Sequence, residues 1–265
     1  MRKLSILIVI SLMIFSSCGN QAGKKAKKET TKEVSIEEQY ITADLKIKMD
    51  SLASSLSKLQ FIALGKDKDG KLVLTEKEKK VKPDYLLPLS KAKDLLTLSQ
   101  KWSALAVYDI DIQVAKIYDM PIEEYKQVLA KLALEVNSPA VSANIKNYDF
   151  GAYFNAIYKE NLENGTLDIY WGAIASGIIE SLYIFTQNID KFMLSFTDET
   201  ASEMTYRIIL VHEAITSLIP FHPEMADLNK VLEPLSKINA ISVKELSNQL
   251  IELKEEISAA RNSIF

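Results

Sequence analysis

The chain has 265 residues, 48% of them hydrophobic, with eight glycines, seven prolines and a formal net charge of −3. That is enough apolar material for one sizeable core or two small ones. The acidic balance argues against nucleic acid as a partner, and a single cysteine excludes an internal disulfide.

The chain opens with Arg2 and Lys3, followed by Leu4 to Phe15, a positive n-region and an apolar stretch of h-region length. A bilayer span needs about twenty apolar residues, so this stretch is too short to cross comfortably. Phe15-Ser16-Ser17-Cys18-Gly19 follows directly and resembles the lipobox of bacterial lipoproteins, a bulky apolar residue and two small ones before the cysteine. The resemblance implies cleavage ahead of Cys18 and acylation of its sulfur and new N-terminus. Two or three acyl chains anchor stably, because each buried CH2 contributes about 0.8 kcal/mol and one chain alone is marginal. The competing reading is an ordinary secretory signal, or an uncleaved anchor, with a chance cysteine. Removal of residues 1–17 takes away two cations and no acid, leaving 30 basic against 35 acidic residues, a net of −5.

Residues 18–35 read as a tether: Lys24, Lys25, Lys27, Lys28 and Lys32 stand among almost no apolar side chains, so the segment buries too little surface to fold. Residues 36–265 are expected to form one all-α domain, a bundle of about seven to nine helices, because apolar residues recur at three and four and glycine is scarce. No period of helix-pair length repeats, which argues against a solenoid.

Helix punctuation is legible in chain order. Ser35 and Glu38 form a capping-box pattern that opens a helix to about Leu59. Between Phe61 and Lys80 the periodicity fails, and no regular structure is assigned. A helix is expected from near Ser90 to Tyr118, carrying Trp102, Leu105 and Ile112. Pro121 suits a first helical position, with the helix ending at Asn137-Ser138-Pro139. Two short helical stretches lead to Asn164-Gly165, a left-handed stop. Thr166 opens the most apolar helix, to about Ile189; another runs from Thr197 or Asp198 to Ile219, closed by Pro220, and a short one follows Pro223. A capping box at Ser242 to Glu245 opens a final helix that reaches Arg261.

Three constellations bear on chemistry. Gly65 to Glu76 can be laid on a twelve-residue calcium loop, with Asp67, Asp69, Gly70 and Glu76 at matching places. Gly65 supplies no oxygen ligand at the first position, however, and Lys66, Lys68 and Lys71 put positive charge where a cation would sit, so a turn is favoured over calcium. The two histidines, His212 and His222, lie ten apart with Pro220 between them; a transition-metal site would have to borrow carboxylates, and no metal or cofactor is expected. Third, acids and a cation stand inside apolar runs. Asp111 shares a helix face with Val107, Tyr108, Val114 and Tyr118, Glu180 shares one with Ala173, Gly177 and Tyr183, and Arg207 sits in Met204 to Leu210. Unpaired buried charges cost several kcal/mol, so Arg207 is expected to pair with Glu180, Asp111 or both, with tyrosine hydroxyls completing the network. Such a network either fixes helix register or lines a cleft for a polar ligand; Tyr108, Asp111, Glu180, Tyr183, Arg207 and His212 are its candidate members. No nucleophile elbow or glycine-rich phosphate loop occurs.

Val107-Tyr108-Asp109-Ile110-Asp111-Ile112 resembles a Val-Tyr-Gly-Ala-Asp-Leu motif, and Ser176-Gly177-Ile178-Ile179-Glu180-Ser181-Leu182-Tyr183 resembles a Gly-x-Trp-Ile-Glu-Gly-Leu-Tyr motif, of a family of helical lipoproteins common in Bacteroidetes. The likeness covers about residues 83–220, with Ile178 in place of the motif tryptophan and Asp109 in place of a glycine. It implies a helical exported domain and places Asp111 and Glu180 on motif acids; it implies no activity. In such lipoproteins, acids just after the cysteine accompany surface display, and Gly19 to Lys24 lack them, so a periplasm-facing outer-membrane location is expected. The function expected is that of a non-catalytic binding or scaffolding lipoprotein, held to the membrane by lipid and presenting a face to an envelope protein or small ligand. The alternative is an enzyme or metal-dependent carrier using Asp111, Glu180, Arg207 and His212.

Overall fold

A computed structural model of the protein describes residues 36–58, 65–144 and 154–265; the expected signal peptide, Cys18, the tether and the Ser35 cap lie outside them. The described residues are all-α, with one isolated antiparallel bridge between Lys66 and Leu72 and no strand. They contain twelve α-helices rather than seven to nine, because several connections close a turn of helix of their own.

The first helix, α1 (Ile36–Lys58), is followed by the glycine-containing segment and the short α2 (Glu76–Lys79). That segment is a turn: Asp67 Oδ1 accepts the N–H groups of Asp69 and Lys71, and Gly70 takes φ +79°, a left-handed value that glycine adopts without strain. Thr75 and Glu78 then form a reciprocal capping box. The helix expected from Ser90 begins later. Leu89–Lys93 is a 3-10 turn, and Thr97 with Gln100 caps the true start of α3 (Leu98–Ile117). Pro121 stands two residues ahead of α4 (Glu123–Val136) rather than in its first turn, and Asn137 ends α4 at φ 53°. Two short helices follow, α5 (Pro139–Asn144) and α6 (Phe154–Asn164), the second stopped by Gly165 at φ +68°.

The centre of the fold is α7 (Leu167–Gln187), which packs against α3 and α6 and against all five later helices. After the short α8 (Ile189–Phe192) come α9 (Asp198–Leu218), α10 (Met225–Leu232), α11 (Val243–Glu252) and α12 (Lys254–Asn262). The last two replace the single helix expected from Ser242 to Arg261, the break falling at Leu253. The described residues make one compact unit. By length and composition α7 could cross a membrane, yet 83% of its apolar window is buried within the protein, as in a core helix.

Small residues let α3 and α7 approach closely. Ser176 Oγ meets Ser103 Oγ at 3.0 Å, and a Cβ placed on Gly177 would lie 3.5 Å from Ile110 Cδ1 and 3.6 Å from Ala106 Cβ. At the other end of α7, the Tyr170 ring stands edge-on to Phe154, Tyr158 and Trp171 at 5.3–5.4 Å between centroids. Such aromatic pairs add about 0.5–1.5 kcal/mol each beyond the area they bury. This close contact of α3 with α7 leaves acids midway along both helices without water.

Candidate functional site

Asp111 on α3 and Glu180 on α7 are both 0% exposed. Their helix faces were set by neighbours such as Tyr108 and Val114, or Ala173 and Ile184, which must be buried, and the acids follow them into the core. Asp111 Oδ2 accepts the Leu87 N–H at 2.9 Å. One helical turn earlier, Tyr108 donates its hydroxyl to the Pro88 carbonyl at 2.9 Å. The two side chains thus hold the extended segment ahead of α3 against the helix at consecutive residues.

Glu180 Oε2 accepts from Arg261 Nε at 3.1 Å, and the Arg261 guanidinium lies 5.0 Å from the centroid of the Tyr183 ring, a cation–π arrangement. The second oxygens, Asp111 Oδ1 and Glu180 Oε1, have no donor among the described residues, and the two buried carboxyls lie near enough to interact electrostatically. A hydrogen bond between them requires a proton on one of the two. Burial, then the neighbouring charge of Glu180, pushes the Asp111 carboxyl well above its ordinary range. Burial also raises Glu180, but the Arg261 charge and hydrogen bond work against it. The proton therefore belongs on Asp111, and ionised Glu180 faces Arg261. The group is then neutral overall, which is how three ionisable side chains share an interior without an isolated charge.

The partnership expected for Arg207 is corrected. Arg207 is on α9 and turns to α1, where its Nε donates to Ser55 Oγ at 2.8 Å and its guanidinium to the Ser55 carbonyl at 3.0 Å. Ser55 in turn donates to Glu203, whose charge favours the ionised guanidinium against burial. An open groove of about 590 Å³ lies beside this pair, lined by Asp50, Ser51, Ser54, Ser55, Glu203 and Tyr206. Face counting places Arg207 inside but cannot say which neighbouring helix it meets. His212, half-buried on α9, leaves its Nε2 without a hydrogen-bond partner among the described residues.

Of the six candidates, the structure gathers Tyr108, Asp111, Glu180 and Tyr183 around one polar set and puts Arg207 in a different seam. Arg261 was missed, because a cation in the last turn of a charged helix looks like a partner for the helix dipole. Leu87 was missed because its contribution is a backbone N–H. The arrangement has the chemistry of a structural joint among three helices and a loop: one shared proton, one ion pair and no opening to solvent at either acid. Comparison with protein-family models, with curated proteins and with solved structures gave no match.

Proposed function

We propose that this chain is a lipid-anchored envelope protein whose helical domain serves as a non-catalytic binding or scaffolding module. The observation that carries this reading is the complete burial of Asp111 and Glu180 against internal partners. Acids used in catalysis must reach a substrate, whereas these two reach Leu87, each other and Arg261. The cation that the enzyme reading needs beside them, Arg207, is engaged with Ser55 on α1. Anchoring is supported by the apolar run Leu4 to Phe15 and the lone Cys18 that follows two serines. The test is complementation of a deletion strain with an Asp111→Asn/Glu180→Gln double variant. Both replacements keep the shape of the side chains and remove the acid chemistry, although Glu180→Gln gives up the ion pair with Arg261, so a variant present as folded protein at wild-type level complements fully. Loss of complementation at an unchanged level of folded protein would make the acids functional and overturn the proposal.

A further inference from the structure

The turn between α9 and α10 brings His222 to the first turn of α7. His222 Nδ1 lies 3.2 Å from Glu224 Oε1 and 3.8 Å from Asp168 Oδ2, and the three donor atoms all fall within 4.8 Å of one another. Among the described residues this is the one group of three or more potential metal donors, and it involves His222 rather than His212.

We infer that Asp168, His222 and Glu224 form a binding site for a divalent first-row transition ion, zinc being its representative, with three protein ligands and a fourth position open to water. Zinc bonds imidazole nitrogen and carboxylate oxygen at about 2.0–2.2 Å in tetrahedral geometry, which sets neighbouring donors about 3.3–3.5 Å apart. The distances of 3.2 and 3.8 Å from His222 bracket that value. The remaining adjustment falls on Glu224, whose side chain is 64% exposed and free to swing. The other two ligands stand on held backbone. The His222 backbone N–H donates to the Leu218 carbonyl at 2.8 Å and its carbonyl accepts from the Met225 N–H at 2.9 Å, and Pro223 restricts the backbone of the residue before it. Asp168 is set in the first turn of α7, and its carboxylate has no other partner among the described residues.

The donor set selects the ion. One imidazole with two carboxylates suits zinc and its first-row neighbours, whereas magnesium and calcium demand six or more oxygens or retained waters. The two carboxylate charges balance the divalent cation, so the loaded site is neutral. The bound ion ties the α9–α10 turn to the start of the central helix and leaves its solvent side for water or an incoming donor.

Isothermal titration of zinc chloride into the full chain, held in detergent micelles, tests this. Wild type takes up one zinc per chain. Loss of an outer-shell partner alone weakens metal sites by about 10–100-fold, so Asp168→Asn and His222→Ala each weaken binding at least about tenfold. His212→Ala binds as wild type does, and magnesium chloride gives no saturable heat. Asp168→Asn is isosteric, so it decides the question if His222→Ala fails to fold. Absence of saturable zinc uptake by wild type, or zinc bound equally tightly by Asp168→Asn, overturns the inference.

Discussion

Asparagine at position 111 separates the proton from the shape of the buried acid pair. Its carbonyl accepts the Leu87 N–H as Asp111 Oδ2 does, and its amide supplies the hydrogen that the aspartic acid gives to Glu180. What is lost is the linkage to pH. A carboxyl whose folded pKa is raised stabilises the protein fully below its unfolded value, 3.8 for this aspartate, and that stability is lost as pH rises through the folded value. Between those limits the native state holds a proton the unfolded state has released. Each pH unit over which that difference in bound protons persists therefore removes about 1.4 kcal/mol. Glu180, Arg261 and the phenols of Tyr85, Tyr108 and Tyr125 surround the site in both proteins, so their contributions largely cancel in the comparison. Urea unfolding of wild type and Asp111→Asn at pH 5, 6 and 7 should show wild type losing ground to the variant as pH rises. A stability difference that stays flat across that range, or one that moves in favour of wild type, would refute the assignment of the proton to Asp111.

Arg261→Met leaves Glu180 buried without its cation and should cost about 3–5 kcal/mol in chemical denaturation, with a good part recovered when Glu180→Gln is added. Gly177→Ala places its methyl at ordinary contact distance from Ile110 and Ala106, so thermal melting should show a gain of up to about 1 kcal/mol from helix propensity. Gly177→Leu, by contrast, must force α3 from α7 and lose about 1–3 kcal/mol by the same measurement. Thr97→Ala removes the α3 capping box and should lower stability by about 1 kcal/mol. In cells, Cys18→Ala should abolish palmitate labelling and release the chain from the membrane fraction; a variant that still labels would place the lipid elsewhere.

The helix starts and stops were readable where the signal is local. Thr197 opens α9, Gly165 ends α6 and Asn137 ends α4, because capping hydrogen bonds and left-handed backbone depend on a few adjacent residues. Boundaries failed where short connections gained a turn of helix, as at Leu89–Lys93, or where one long periodic pattern was broken at Leu253. The calcium-like segment gave the expected turn, since the Asp67 side chain is taken up by the loop's own backbone N–H groups.

By itself the sequence determined that this is a helical protein and that Asp111 and Glu180 lie in its interior, because a 3.6-residue repeat of apolar side chains fixes which face of a helix leaves water and takes any acid on that face with it. Only the tertiary structure decided whom those acids meet. Arg261 lies 81 residues from Glu180, and Asp168 and His222 come from separate elements. Partners at such separation are chosen by how helices cross and where loops return, which depends on the packing of the whole core rather than on any local run of residues.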